Sequence, residues 1–500
     1  MILLREKPFA FSIIRHKADL VCHNCMIPKS LHENTELKRC SQCKFAHYCS
    51  VQCQKEDFSE HRLQCRMISA CQPSIPSVEI RLFAQIVLKM MQNADQNSAT
   101  RRFYDLDWGE ALLRNDTSRQ LKYKTLVKSL MTYFEKSNIC YSFAAQDLTT
   151  IAARMDLNMS HMIGVRSTAD TCKFASAIYL KLKTIGHSCW PNCSYFYTGK
   201  DVITYSLSDE SGLKWSEPPA NLTVSYCPLN FTKAERQHIL KENYNIDCSC
   251  PRCLDAEDHA KANAVCCQKC SDGIAVPEYK SRGNSQILAS YCCQNSACAA
   301  VYNPKKYSHV IKKAGKLLSD MKEYMYSVTQ SRNTALKEDL FRRYEIIKDC
   351  LPDCNALRGR LNILVRELLL DDHRRFLRYA KCEIESGKHF YPAGHFSHLT
   401  ALVGTANSYQ DVITIHFARK LISASHRRHA FDPQFVQVVR EAEEIVICLL
   451  GEIAKVLGPF DAHLYPFYAS MVELLHRIKA IKCSFIMNGH MYTVPVVTLS

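Results

Sequence analysis

The sequence predicts an α+β chain, with a metal-held, strand-containing N-terminal part and an α-helical C-terminal part. Three observations predict it. Of the 27 cysteines, 22 lie before residue 301 and five are spread over the last 200 residues. Between residues 157 and 229, "DVITYSLSD" and "NLTVSYCPL" alternate and are β-branched or aromatic, the period of strands. From residue 301 onward the apolar spacing is helical almost throughout, as in "SHVIKKAGKLLSDMKEYM", "NALRGRLNILVRELLLDDHRRFLRYA" and "DPQFVQVVREAEEIVICLLGEIAKVLG". At 500 residues the chain has room for roughly three domains of ~150 residues.

The first residues, "MILLREKPFAFSIIRHK", have a short apolar start soon broken by charge, unlike a signal peptide. No run approaches the ~18–20 apolar residues needed to span a bilayer. A reducing compartment, cytoplasmic or nuclear or both, is expected, and with it metal sites rather than disulfides. The formal charge is +15. Fifteen metal-bound thiolates and four Zn²⁺ would lower it by about 7, to roughly +8. That modest excess is weak support for DNA binding and suits acidic surfaces equally well. No groove-reading helix or concentrated basic stripe stands out.

In chain order, residues 1–20 read as strand ending in a charged turn, and residues 22–65 as cysteine-rich and short-looped. Residues 78–156 carry helical spacing (Ile80, Phe83, Ala84, Val87, Leu88, Met91) with a polar break at "NADQNSAT". "ESGLKWSEPPA" reads as a loop between the two strands, and 230–300 is again cysteine-rich. In the C-terminal part Asp432 is the expected N-cap of a helix with Pro433 at its first position. Successive helix pairs with short breaks point to a helical-repeat array.

Residues 22–65 contain Cys22-x2-Cys25, Cys40-x2-Cys43, Cys49-x3-Cys53 and His61-x3-Cys65. Ligands two or three residues apart reach one tetrahedral Zn²⁺ from a tight turn or a helix turn, so eight ligands make two sites. Spacing alone allows sequential or interleaved pairing. This stretch resembles the MYND zinc finger, down to Tyr48-Cys49 and the final His-x3-Cys. The resemblance implies interleaving: Cys22, Cys25, Cys49 and Cys53 on one zinc, and Cys40, Cys43, His61 and Cys65 on the other. It also implies docking of proline-rich peptides. Without zinc a module this small has almost no core.

"GHSCWPNC" (186–193), a strand ending in "LTVSY", and "DCSCPRC" with Cys248-x-Cys250-x2-Cys253 resemble the core SET and post-SET elements of protein lysine methyltransferases. With the finger ahead and a helical part behind, the motif order resembles the SMYD family over nearly all of the chain. The resemblance implies a SET-type β-core split by the finger and a helical insert, a post-SET zinc site and a helical, TPR-like C-terminal domain. The implied segments are 1–21 (residual SET strand), 22–65 (finger), 66–156 (helical insert), 157–229 (core SET), 230–257 (post-SET), 262–300 (ribbon-like) and 301–500 (helical).

The same resemblance makes Cys189 the fourth ligand beside Cys248, Cys250 and Cys253. It sets His187 beside the methyl donor S-adenosylmethionine (AdoMet), Tyr226 at methyl transfer and Tyr244 along the lysine channel. Asn158 matches a further cofactor-contacting asparagine. The chemistry suits these types: a narrow aromatic channel favours the neutral amine by desolvation, and an in-line displacement depends on positioning. Departures exist. Gly186 stands where the family has an asparagine whose amide helps hold the cofactor. "PPANLT" replaces "GEELT", and Ile246 stands for an aromatic. The family's Gly-x-Gly segment would precede "MILLREKPFAF", and an incomplete N-terminus is one expectation. The leading expectation is an AdoMet-dependent lysine N-methyltransferase acting on histone or other proteins. The rival is a catalytically weak or inactive SET/MYND scaffold for protein–protein interaction.

A third set, Cys267-x2-Cys270 and Cys293-x4-Cys298, reads as a zinc ribbon, with Cys266 and Cys292 as adjacent alternatives. Cys140, Cys172, Cys350, Cys354, Cys382, Cys448 and Cys483 read as small core residues. "HRRHAF" (426–431) reads as a solvated helix end and "DDHRRFLR" (371–378) as an exposed helical face. Asn192 and Asn221 begin glycosylation sequons without use in a reducing compartment.

Overall fold

A computed structural model describes residues 1–27, 29, 36–92, 98–114, 116–165, 171–207, 213–216, 219–270, 272–282, 285–327, 334–369, 372–423, 433–458 and 468–486. The chain forms two compact units: Met1–Arg166 with Asp170–Tyr226 and Gln237–Asp247, and Ser167–Ala169 with Cys227–Arg236 and Cys248–Ser500.

The first unit begins with β1 (Ile2–Glu6) and β2 (Ala10–Ile13), then the finger with β3 (Lys38–Arg39), β4 (His47–Tyr48) and α1 (Val51–Ala70). The helical insert follows as α2 (Val78–Gln92), α3 (Ser98–Asp105), α4 (Glu110–Arg114), α5 (Thr117–Lys136) and α6 (Ala145–Asn158). Next come β5 (Ser160–Val165), β6 (Thr171–Ile178), β7 (Gly186–His187), β8 (Cys193–Thr198), β9 (Asp201–Ser206) and β10 (Thr223–Val224). Helix α7 (Lys233–Tyr244) enters this unit from Gln237.

Small sheets make the β-core: β1-β9-β8 and β2-β6-β5, both antiparallel, and the parallel pair β7-β10. All six residues of β9 are buried, so "DVITYS" is a central strand between β1 and β8. On the insert, the sequence periodicity translates directly into packing. Phe83, Ala84, Val87 and Leu88 of α2 are buried with Leu130 and Phe134 of α5 and Ile151 and Met155 of α6, while Ile80 and Met91 line the rim. Arg81, also buried on α2, donates to the Ile13 carbonyl at 2.5 Å and lies 4.5 Å over the Phe45 ring.

The second unit holds α8 (Pro251–Leu254), α9 (Ala256–Ala262) and the sheet β11 (Val265–Cys266), β12 (Ile274–Arg282), β13 (Ser285–Cys293) and β14 (Val301–Tyr302). Then come α10 (Pro304–Ser327), α11 (Thr334–Lys348), α12 (Ala356–Leu368), α13 (His373–Phe390), α14 (Phe396–Ser423), α15 (Pro433–Leu457) and α16 (Tyr468–Ile486). Consecutive helices pack on one another, as in a helical array. A buried polar chain fixes the register of three of them. Tyr344 on α11 donates to Asn362 Oδ1 on α12, and Asn362 Nδ2 donates to Ser386 Oγ on α13 at 2.8 Å. No described helix is long and apolar enough to cross a membrane.

Several expectations are corrected. The finger is not short-looped throughout, since its last three ligands ride on the 20-residue α1. "NLTVSYCPL" contributes only the two-residue strand Thr223–Val224, preceded by Asn221 in the left-handed conformation (φ 61°). Cys140 and Cys448 are exposed rather than core. In "DDHRRFLR" Phe376 and Leu377 are buried, so only part of that segment faces solvent. Asp432 and "HRRHAF" lie outside the described residues; α15 does start at Pro433.

Two glycines give opposite expectations. At the β8–β9 turn Gly199 has φ +59°, and an added Cβ would sit 2.7 Å from the Cys25 carbonyl oxygen. Gly199→Ala should cost roughly 2–4 kcal/mol. Gly315, inside α10, has nothing within 4 Å of a Cβ, and Gly315→Ala should add about 0.5–1 kcal/mol. Thermal or urea unfolding of the two variants checks both signs.

Candidate active site and metal centres

The finger's ligands meet in two interleaved sets. Cys22, Cys25, Cys49 and Cys53 have their sulfurs within 4.8 Å of one another, and so do the ligand atoms of Cys40, Cys43, His61 and Cys65. The sulfur pairs Cys25–Cys49, Cys40–Cys65 and Cys49–Cys53 are 3.8, 3.7 and 3.5 Å apart. A zinc tetrahedron with ~2.3 Å Zn–S bonds has edges of about 3.8 Å, so both sets fit Zn²⁺. Local backbone chemistry builds them. After each Cys-x2-Cys pair the chain turns left-handed, at Met26 (φ 57°) and Lys44 (φ 53°), whose N–H groups return to the Cys22 and Cys40 carbonyls. Ser50 caps α1 by accepting from Cys53 N–H at 3.1 Å, which fixes the helix start that presents Cys53, His61 and Cys65.

Behind the finger lies an ion pair that the sequence did not announce. Asp57, buried one helical turn before His61, accepts from Tyr48 OH at 2.9 Å and from Lys200 Nζ at 2.8 Å. Lys200 in turn lies 4.2 Å over the Phe11 ring.

The "GHSCWPNC" segment forms a knot with the β10 strand. Gly186 and His187 pair in parallel with Thr223 and Val224, and Ser188 N–H donates to the Val224 carbonyl. Asn192 closes the loop: its Oδ1 accepts from Thr223 N–H at 2.8 Å and its Nδ2 donates to the Asn221 carbonyl at 2.7 Å. His187 is held at both nitrogens. Tyr226 N–H donates to Nδ1 at 3.0 Å, and Nε2 lies 3.3 Å from the buried Cys189 sulfur. An amide N–H can only donate, so the ring proton belongs on Nε2, facing that sulfur.

Tyr226 lies against His187 and Tyr244, at ring-centroid distances of 5.3 and 5.1 Å. Its hydroxyl donates to the Ile185 carbonyl. Burial, then the neighbouring Tyr244 and Tyr195, push its hydroxyl up to about 12, so it stays protonated at physiological pH. Tyr244 reaches the cluster because α7 ends there. Asn245 turns left-handed (φ 53°) and Ile246 N–H folds back to the Leu240 carbonyl.

Other sequence-predicted residues sit as follows. Gly186 is exposed, and its backbone is not in the left-handed region; an added Cβ would meet only the Leu222 oxygen, at 3.8 Å. Asn158 is buried at the end of α6, and its amide donates to the Asp107 and Arg154 carbonyls at 2.7 and 2.8 Å. In the second unit the sulfurs of Cys248, Cys250 and Cys253 lie within 4.8 Å of one another. Those of Cys267, Cys270, Cys293 and Cys298 do likewise. Sequence reasoning missed Asp57, Lys200, Tyr195 and Lys183. Only a residue type out of place could have flagged the last, a lysine in the apolar stretch "YLKLKTIG".

Lys183 lies on the 3₁₀ turn Leu182–Thr184 that delivers Ile185 to Tyr226, and burial pushes its ammonium down to about 8. An unfolded lysine titrates near ~10.4. Below about 8 both states are protonated and the fold bears the full desolvation cost. Between about 8 and ~10.4 the unfolded chain binds more protons, so stability rises with pH. Lys183→Met should therefore stabilise by about 1–3 kcal/mol at neutral pH, with the gain fading as pH climbs through that window. Urea unfolding from pH 7 to pH 10.5 checks it; a gain independent of pH would contradict the assignment.

Residues 22–65 match the family model of the MYND finger. Over 265 residues the chain is 27% identical to human histone-lysine N-methyltransferase SMYD3, covering 52% of this chain and 57% of that protein. It is 24% identical over 262 residues to mouse histone-lysine N-methyltransferase Smyd1, covering 50% and 51%. It is 26% identical over 237 residues to chicken N-lysine methyltransferase SMYD2, covering 47% and 50%. The chain thus spans about half the length of the curated relatives it matches. With an interleaved finger set into a small-sheet β-core, and a helical array in the second unit, the chain is similar to these SMYD methyltransferases over about half of its length.

Proposed function

We propose that the chain is an AdoMet-dependent protein-lysine N-methyltransferase. The observation that carries the reading is the aromatic cluster of Tyr226, Tyr244 and His187, with the Tyr226 hydroxyl committed as donor to the Ile185 carbonyl. AdoMet, when bound, supplies a sulfonium methyl group to a neutral amine. His187 and Gly186, on the short strand β7, are the residues that would hold it. A Cβ at Gly186 would meet only the Leu222 oxygen, while the Asn158 amide is engaged by backbone carbonyls and offers no free N–H.

The chain's own residues do the rest. Aromatic walls and burial disfavour a lysine ammonium, so the substrate enters as the amine. Because the Tyr226 proton points at Ile185, the phenol oxygen is left as an acceptor for an amine N–H. At about 12 its ionisation is too high for the group to serve as a general base at neutral pH. Its role is orientation, which an in-line displacement needs most. His187 holds the Tyr226 backbone from one nitrogen and faces Cys189 from the other. Substrates are proteins, histone or otherwise. The finger, with Val51 and Phe58 exposed on α1, would dock proline-rich peptides.

A scaffold reading has one observation in its favour, since neither Gly186 nor Asn158 offers the cofactor a side-chain amide. Calorimetric titration of the zinc-loaded chain with AdoMet separates the two without any substrate. Micromolar binding supports the enzyme, and no binding to folded, zinc-replete protein counts against the enzyme reading of this chain. Two variants extend the test. Tyr226→Phe should reduce methyl transfer strongly while zinc content stays unchanged; unaltered transfer would sink the assignment. Gly186→Asn has room for its side chain. One regained amide bond, about 1–3 kcal/mol, should tighten AdoMet roughly 5- to 150-fold.

A further inference from the structure

The sheet β11-β12-β13-β14 gathers four thiols at one end. Cys267 follows β11, Cys270 stands three residues on, Cys293 ends β13, and Cys298 lies in the turn before β14. The Cys267–Cys298 and Cys270–Cys293 sulfurs are 3.8 and 3.7 Å apart. A disulfide would bring sulfurs to about 2.05 Å, whereas a zinc tetrahedron asks for about 3.8 Å. The spacing matches the finger's own sulfur pairs.

Three further features belong to a metal site. The sulfurs have donors around them: Lys269 N–H lies 3.4 Å from Cys267, the Tyr302 hydroxyl 3.0 Å from Cys267, and Asn295 Nδ2 3.9 Å from Cys270. Such donors offset the net negative charge that four thiolates leave on one Zn²⁺. Gly273 floors the site: a Cβ there would lie 2.5 Å from the Cys270 sulfur and 2.6 Å from that of Cys293. The backbone folds around the sulfurs as well, with Cys267 N–H on the Gly273 carbonyl and Cys293 N–H on the Ala300 carbonyl.

Strand alternation also separates the ligands from their neighbours. Cys292 has its sulfur 3.7 Å from Ser290 Oγ, away from the cluster. Cys266 is used through its backbone. Its N–H donates to the Cys350 carbonyl, and its carbonyl accepts from the Tyr307 hydroxyl.

We propose that Cys267, Cys270, Cys293 and Cys298 hold a structural zinc ion that closes this ribbon and, through it, anchors the first helices of the array. The anchoring contacts are the Cys266–Cys350 and Cys266–Tyr307 bonds, together with Asn355. That residue caps α12 through its oxygen and donates Nδ2 to the Ala264 carbonyl at 2.7 Å. Beside the four thiols the ribbon buries Ala264 and Val276 with Cys354, and Tyr291 and Tyr302 pack on Tyr307 of α10. This zinc is separate from the finger's pair and does not depend on the methyltransferase reading.

The test is metal analysis of the full chain and of a Cys293→Ser/Cys298→Ser variant by native mass spectrometry. The variant should carry one zinc fewer than the parent. An equal zinc content, or iron at this site, overturns the proposal. If the variant does not fold, alkylation of the unmodified chain with iodoacetamide decides. The four ribbon thiols should resist labelling until a chelator is added, while exposed Cys140 labels at once. Prompt labelling of the four before chelator would overturn the proposal.

Discussion

Closure of short segments around tetrahedra of thiol and imidazole ligands is the constraint on which the first unit is built. The finger cannot bury enough apolar surface to order itself, so its eight ligands supply the fixed points. Because the sets interleave, each centre ties a Cys-x2-Cys turn to a segment that is distant in sequence, and neither half of the finger can form alone. That geometry makes Met26 and Lys44 adopt left-handed backbone without being glycine. Metal closure evidently outweighs the ~1–2 kcal/mol each such residue costs.

The finger is then made part of the β-core rather than appended to it. The tip of the β8–β9 hairpin carries the junction: Gly199 lies against the Cys25 carbonyl, and Lys200 reaches Asp57 behind the His61 ligand. Removing one partner of that buried pair would strand the other, which is why such pairs fix geometry more than they add stability. Arg81 works from the insert side, between Ile13 and Phe45. The finger is thereby held to the β8–β9 turn of the core and to one helix of the insert.

Positioning by hydrogen bonds continues into the candidate active site. Asn192 welds the His-Ser-Cys loop to β10, and His187 spans from Tyr226 to Cys189. Tyr226 is then set from three directions, by its backbone N–H, its hydroxyl and its neighbours Tyr244 and His187. A displacement reaction that turns on alignment has use for such over-determination. In the proposed reaction the tyrosine hydroxyl can be raised to about 12 without harm, since orienting an amine requires no ionisation.

Much of this was legible in the chain itself. Ligand spacing marked the residues whose ligand atoms the fold gathers in the finger and in the ribbon, because two or three intervening residues fix the reach of a turn. Helical periodicity marked the insert and array, and it identified Phe83, Val87 and Leu88 as core, because burial follows the 3.6-residue period. What only the tertiary structure decided are the contacts without a period. Lys200 meets Asp57 across 143 residues, and Gly199 meets Cys25. Of the ribbon's paired cysteines, Cys267 and Cys293 face the cluster while Cys266 and Cys292 do not. Strand faces and long-range pairings depend on how sheets register against one another. A residue's identity records which chemistry it can perform, and only the fold determines which partner it performs it with.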